Sequence, residues 1–104
     1  MLEKKAGVMQ IVFSGELWYW KGPAPHYFVT VPEQPCWDIR AVAALVTYGW
    51  GVIPVSVRVG STVWTTSLIP KDGRYLVPIR ASVRKAEQLA EGAVVAIQLD
   101  VGRD

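Results

Sequence analysis

Apolar and polar side chains alternate with period two from residue 53 to residue 80, and the pattern predicts a three-stranded antiparallel meander. Ile53, Val55, Val57 and Val59 alternate with Pro54, Ser56 and Arg58, and Gly60-Ser61 then supplies a two-residue hairpin turn. Closing that turn places Val59 opposite Thr62, Val57 opposite Trp64, Val55 opposite Thr66 and Ile53 opposite Leu68. The valines and the Trp64 indole then share an inward surface, while Arg58, Ser56, Val63, Thr65 and Ser67 share the other. A second turn over Pro70-Lys71-Asp72-Gly73 leads to a strand in which Tyr75, Val77 and Ile79 alternate with Arg74, Leu76, Pro78 and Arg80. Pro54 and Pro78 cannot donate to a ladder, so each is expected at an edge, a bulge or a strand end, which favours a small, partly open barrel over a wide sheet.

The flanking segments extend this plan to six strands and two short helices. A first strand is predicted over residues 8 to 20, with Met9, Ile11, Phe13, Leu17 and Tyr19 on one face, Gly15 as a bulge or bend, and Trp18 and Trp20 on the opposite face. Gly22-Pro23-Ala24-Pro25 turns the chain into a second strand over residues 26 to 31, ended by Pro32. Ile39, Val42, Ala43 and Val46 have helical spacing, with Asp38 supporting the first turn and Gly49 stopping the helix. A second helix is predicted from Ser82 as N-cap to Gly92, burying Val83, Ala86, Leu89 and Ala90, and the last strand follows over residues 93 to 101. Glu87 and Glu91 lie near the negative end of that helix, a mildly unfavourable placement.

The 104 residues suffice for one domain, 1–104, which buries roughly 65% of the surface of its unfolded chain. Cys36, the single cysteine, has no partner in the chain, which excludes a disulfide framework and suits a reducing compartment. The N-terminus shows no apolar signal region, and the longest helical apolar run, residues 41 to 46, is far short of the roughly 20 residues a membrane span needs, so a cytoplasmic location and no membrane partner are expected. Lys and Arg number 11 against 9 acids, a net charge of +2 that by itself implies neither nucleic acid nor membrane binding.

Several short motifs recur here in a familiar order. They are Phe28-Val29-Thr30-Val31-Pro32, Asp38-Ile39-Arg40, Val55-Ser56-Val57-Arg58-Val59-Gly60, Trp64-Thr65-Thr66-Ser67-Leu68, Pro70, Tyr75-Leu76-Val77-Pro78, Val83-Arg84-Lys85-Ala86 and Gly92. In this order and spacing the chain resembles the bacterial domain-of-unknown-function family numbered nineteen-oh-five, over nearly its whole length. The resemblance implies a mainly β protein, a small six-stranded double-split β-barrel similar in fold to AbrB/MazE-like proteins and completed within one chain, and it implies no established activity. Two positions depart from the family pattern: Ala93 stands where an Asp is common, and His26 where a Trp is common.

Chemistry is sparsely signposted. With one His and one Cys, neither a Cys/His nucleophilic pair with an orienting third group nor a multi-ligand zinc site is assembled, and no phosphate-cradling glycine loop or HExxH is present. His26 beside Tyr27 reads as a strand residue with a partly packed ring, and Cys36 as a small buried hydrophobe. No catalytic residue, metal or cofactor is therefore assigned. The acids Glu16, Glu33, Asp38, Asp72, Glu87, Glu91 and Asp100 are scattered, which further weakens a hydrolase or transferase reading.

Two leads remain. Between residues 58 and 85 the cations Arg58, Lys71, Arg74, Arg80, Arg84 and Lys85 face Asp72 alone, and Arg80, Arg84 and Lys85 fall around the predicted start of the second helix, where free backbone amides also favour an anion. Solvated strand and helix edges are the plainer account of these charges. Of the five tryptophans, Trp64 reads as core and Trp37 and Trp50 as packing of the first helix; Trp18 and Trp20, opposite the main apolar face, are buried under a covering layer or else mark a recognition patch. The expected function is that of a non-catalytic binding or accessory module, monomeric or weakly dimeric. It would hold a protein segment or small ligand on a surface of Trp18, Trp20, His26 and Tyr27. The alternative is binding of nucleic-acid phosphates through Arg80, Arg84 and Lys85 in the basic 58–85 segment.

Overall fold

The computed structural model describes residues 9–46 and 53–102. In chain order the elements are β1 (Met9–Trp20), β2 (His26–Thr30), α1 (Glu33–Val46), β3 (Ile53–Val59), β4 (Thr62–Lys71), β5 (Arg74–Pro78), α2 (Ala81–Ala86) and β6 (Val94–Val101). The strands close into an antiparallel barrel of order β1-β2-β5-β4-β3-β6, so the fold is the six-stranded barrel with two short helices expected above, but closed where the prolines favoured a partly open one. Its two long strands each serve two ladders. Met9 to Glu16 of β1 pair with β6 and Leu17 to Trp20 pair with β2, while Thr62 to Leu68 of β4 pair with β3 and Ile69 to Lys71 pair with β5. At each change of partner the barrel wall divides.

The meander keeps its predicted register: Ile53 faces Leu68, Val55 faces Thr66, Val57 faces Trp64 and Val59 faces Thr62. Gly60 at φ 58° starts one hairpin turn, and Asp72 and Gly73, at φ 50° and 78°, form the other, the paired positive values that Asp-Gly hairpin turns require. Pro70 lies within β4 opposite Tyr75, rather than in the turn. Pro78 is the last residue of β5, and Pro54 lies near the start of β3, just past the last β3–β6 ladder pair, where its carbonyl accepts from the Gly102 amide at 2.8 Å, so both prolines sit at strand ends.

The interior is built by the inward row of each strand, with Leu17, Val29, Ile53, Val55, Val57, Leu68, Val77, Ile97, Leu99 and Val101 all buried in one cluster. Each such side chain taken fully out of water contributes about 1.5–3 kcal/mol. Gly15 is no bulge, since Gly15 and Glu16 continue the ladder opposite Val95 and Val94. It lies on the inward row where β1 changes partner, and a Cβ there would stand 2.6 Å from Val29 Cγ1 and 3.3 Å from the Thr30 carbonyl. The glycine is needed for close approach between strands.

Both helices differ from their predicted bounds. α1 begins at Glu33, more than a turn before Asp38, which is an exposed residue inside the helix and not its start. Pro32 and Pro35 suggest a loop, yet Pro35 falls in the first turn, where amides have no intrahelical acceptor, and the Cys36 amide already bonds the Pro32 carbonyl at 3.1 Å. Cys36 and Ile39 point into the core, and Arg40 Nη2 donates to the Gly73 carbonyl at 2.7 Å, holding α1 against the β4–β5 hairpin. Trp37, expected to pack, is 60% exposed because the buried stripe of the helix runs through Cys36 and Ile39. Gly49 and Trp50 lie outside the described residues.

α2 is shorter than predicted. Arg80, not Ser82, occupies the N-cap position, and no side chain caps it. The helix stops at Glu87, where Gln88 at φ 54° and the bonds Gln88 N–H to Lys85 O (3.3 Å) and Leu89 N–H to Arg84 O (2.8 Å) form a Schellman ending with Gln in the usual glycine place. Val83 is buried and Leu89 packs partly on the core, but Ala86, the last residue of the helix, is exposed, and so is Ala90, which lies beyond it. Glu87 offsets its unfavourable position at the helix end by accepting from the Thr62 hydroxyl at 2.6 Å and, more loosely, from Ser61 at 3.5 Å. With Arg80 Nη2 donating to the Thr65 carbonyl at 3.2 Å, these contacts tie α2 to the half of β4 that β5 does not reach.

Candidate functional site

The end of β1, the start of β2 and the inner edge of α2 enclose an open cleft of about 370 Å³, lined by Tyr19, Pro25, His26, Tyr27, Ala81 and Arg84. Strand alternation builds it. Tyr19 and Tyr27 are directly opposed across the β1–β2 ladder on the inward row, past the last fully buried pair Leu17 and Val29, so their rings emerge at the barrel's end. The two rings pack at 4.8 Å between centroids. Arg84 projects from α2 with its guanidinium carbon 3.9 Å from the Tyr27 ring centroid, and Nη1 donates to the Ile79 carbonyl at 2.8 Å. Stacking and one hydrogen bond fix the plane of the guanidinium; among the described residues its other N–H groups meet no protein acceptor.

His26 lines the same cleft from the start of β2. Its pKa is held below the ordinary 6.5, first by partial burial and then by the Arg84 and Arg80 charges. The imidazolium is thus disfavoured beside two cations, and the ring packs on Phe28 with centroids 5.3 Å apart. The lining contains no carboxylate.

A second surface lies on the outward row of the same strands. Trp18 and Trp20 stand opposite Phe28 and His26, and Phe28 is covered by the three rings around it, with centroids at 5.5 Å (Trp18), 6.4 Å (Trp20) and 5.3 Å (His26). Trp18 is anchored by its indole N–H donating to Thr30 Oγ1 at 2.9 Å. Trp20 is 39% exposed, its ring flanked by the Lys71 ammonium at 5.9 Å. No second layer buries Trp20, so the covered alternative does not hold for it.

The structure divides the four residues expected to share one surface. Trp18, Trp20 and His26 are outward, whereas Tyr27 is on the opposite face of β2, since neighbours along a strand point to opposite sides. His26 belongs to both groups, touching Phe28 outside and lining the cleft at the strand's start. The basic segment is divided too. Arg80 and Arg84 flank His26, but only Arg80, at the N-cap, stands at the helix's start, whereas Arg84 and the exposed Lys85 fall in its last turn. Arg58 is opposite Val63 and Gln98 on another wall, Arg74 is 4.0 Å from Glu33, and Lys71 is 3.6 Å from Asp72. The six cations do not form one face.

Tyr19, Pro25 and Ala81 were not singled out by the sequence. Tyr19 sits in the apolar row of β1 and is indistinguishable there from core, and its partner Arg84 is sixty-odd residues away on an element whose position only the fold supplies. Trp64 packs on the core as expected, yet its indole N–H is buried without a partner among the described residues. Among those residues no three His, Cys, Asp or Glu side chains come together as a metal site, and no helix is long and apolar enough to cross a membrane.

No curated protein matches the chain. Residues 13–99, which run from the middle of β1 nearly to the end of β6 and so take in both sides of the cleft, match the family described as Domain of unknown function (DUF1905), and the chain belongs to that family.

Proposed function

We propose that this domain is a non-catalytic binding module whose ligand is a small anion seated in the Tyr19–Arg84 cleft. The observation that carries the reading is the Arg84 guanidinium, stacked on Tyr27 at 3.9 Å, pinned by the Ile79 carbonyl, and presenting its remaining donors in a cleft lined without a carboxylate. A guanidinium held in plane suits a carboxylate or phosphate, which accepts two parallel hydrogen bonds. The cleft's volume is in the range of small-ligand sites. A binding role is favoured over catalysis because His26, the lone imidazole, has cations and aromatic rings for neighbours, with no carboxylate in the lining to orient it as a base.

The dispersal of Arg58, Lys71 and Arg74 over separate walls favours a discrete cleft over a long basic track for duplex phosphates. The test is amide-shift and Tyr fluorescence titration with inorganic phosphate and acetate on the native protein and on Arg84→Met. Saturable shifts confined to Tyr19, His26, Tyr27 and Ala81, and lost in Arg84→Met, are expected. Saturable binding that survives Arg84→Met, or no binding at all, overturns the proposal.

A further inference from the structure

We infer that the anion this cleft accepts is the phosphate of a phosphorylated nucleoside, whose base lies on the exposed Trp20 ring. The inference rests on the anion-binding reading above and names its ligand class. Three observations carry it. First, the cleft and the outer aromatic surface meet at one residue: His26 lines the cleft and is the direct cross-strand partner of Trp20. A ligand with a charged head and a flat body can therefore keep its head on Arg84 and lay its body outward across the His26 edge. Residues opposed in this way have Cβ atoms about 4.5–5.5 Å apart, so the two subsites adjoin.

Second, Trp20 is held ready to stack. The chain turns so closely beneath it that a Cβ on Gly22 would stand 2.5 Å from the indole, and the Phe28 ring supports it from the next position. The indole is packed against these neighbours while 39% of the residue stays open to water, so a flat ligand can reach it. Third, cations border both rings. The Lys71 ammonium, 3.6 Å from the Asp72 carboxylate, lies over Trp20 and the Arg84 guanidinium over Tyr27, and Lys21 and Arg80 are close by in chain or space. An aromatic platform bordered by cations matches a base with a phosphate attached. A neutral sugar would leave the cations without a role.

Inorganic phosphate, adenosine, adenosine monophosphate and a short single-stranded oligoadenylate, titrated against the native protein with Trp fluorescence and amide shifts as readouts, test the inference. Adenosine monophosphate is expected to bind about tenfold more tightly than inorganic phosphate, with Trp20 quenched, and adenosine alone to bind far more weakly. Trp20→Leu should abolish the advantage of the monophosphate while leaving phosphate binding intact, and Trp20→Tyr should restore most of it. A steeply salt-dependent gain for the oligonucleotide over the monophosphate assigns the source as a nucleic-acid strand, and equal affinity assigns it as a free nucleotide. Phosphate and the monophosphate binding equally overturns the inference and leaves the anion cleft standing. If neither binds, both readings fall together.

Discussion

In β6, and in β3 once past the buried Pro54 at its start, burial follows the pleat: Val55, Val57 and Val59, then Val95, Ile97, Leu99 and Val101, are buried, while Arg58 and Ala96 between them and Val94 before them are exposed. In β2 and β5 burial runs through consecutive residues instead, Phe28 with Val29 and Tyr75 with Leu76 and Val77. The first wall has one dry face and one wet face. The second has a dry inner face and an outer face on which Trp18, Trp20 and His26 cover Phe28 while Trp20 itself stays partly in water. A wall with one dry face needs only alternating valines. A second apolar layer left partly open to water does nothing further for the interior, and the cleft opens at its margin.

The sharpest test of that contrast uses one truncation in each wall. Leu99→Ala empties a fully buried position and is expected to lower stability by about 2–5 kcal/mol in urea unfolding. Phe28→Ala removes a larger side chain, but from the outer layer, where the surrounding indoles and imidazole can settle into the gap and water can reach it; about 2 kcal/mol is expected, toward or below the lower end for buried aromatics. If Phe28→Ala proves as costly as Leu99→Ala or costlier, the outer layer is a second core and not a surface.

A smaller effect tests how α2 is held beside the second wall. Glu87→Ala removes the acceptor for Thr62 and Ser61 and is expected to destabilise by about 1 kcal/mol, and Thr62→Val by a similar amount. The double variant should cost less than the two singles together, since both delete one bond. Full additivity would mean that the carboxylate and the hydroxyl act independently and that Val83 and the Arg80 bond to Thr65 seat the helix without them.

The same contrast explains what could be read from the sequence. β3 and β4 were legible in register because a pleat with one dry face writes itself as alternation and Gly60-Ser61 sets the hairpin that fixes it, whereas the turn into β5 was read too wide, since Pro70 and Lys71 belong to β4. The start of α1 was hidden by Pro32 and Pro35, whose loop-forming tendency is harmless in a first turn. The end of α2 was hidden because Gln88 takes the left-handed position usually marked by glycine. Trp18 and Trp20 were correctly set apart by parity, yet parity also shows that Tyr27 cannot join them, an inconsistency visible in the alternation itself. The pairing of Tyr27 with Arg84 left no trace in the sequence, because a long-range contact across a barrel's end has no period.

The smallest expected effect concerns the residue common to both surfaces. His26 is the only histidine, so its ring protons report one titration without ambiguity. Burial, Arg84 and Arg80, in that order, hold its pKa below 6.5 in the folded chain, which means the folded state binds its proton less readily than the unfolded state does. The stabilisation due to the neutral ring is therefore fully present above the unfolded value near 6.5 and is lost as pH falls through the lower folded value. NMR titration should place the midpoint under 6.5 and move it upward in Arg84→Met, but not all the way, because burial remains. Bound phosphate should raise it in the native protein, since an anion beside the guanidinium favours the imidazolium, and by the same linkage phosphate affinity should increase on acidification through that midpoint as long as the phosphate keeps its charge. A midpoint indifferent to both Arg84→Met and phosphate would separate His26 from the guanidinium in solution, and the cleft would then lose the residue that joins it to the aromatic wall.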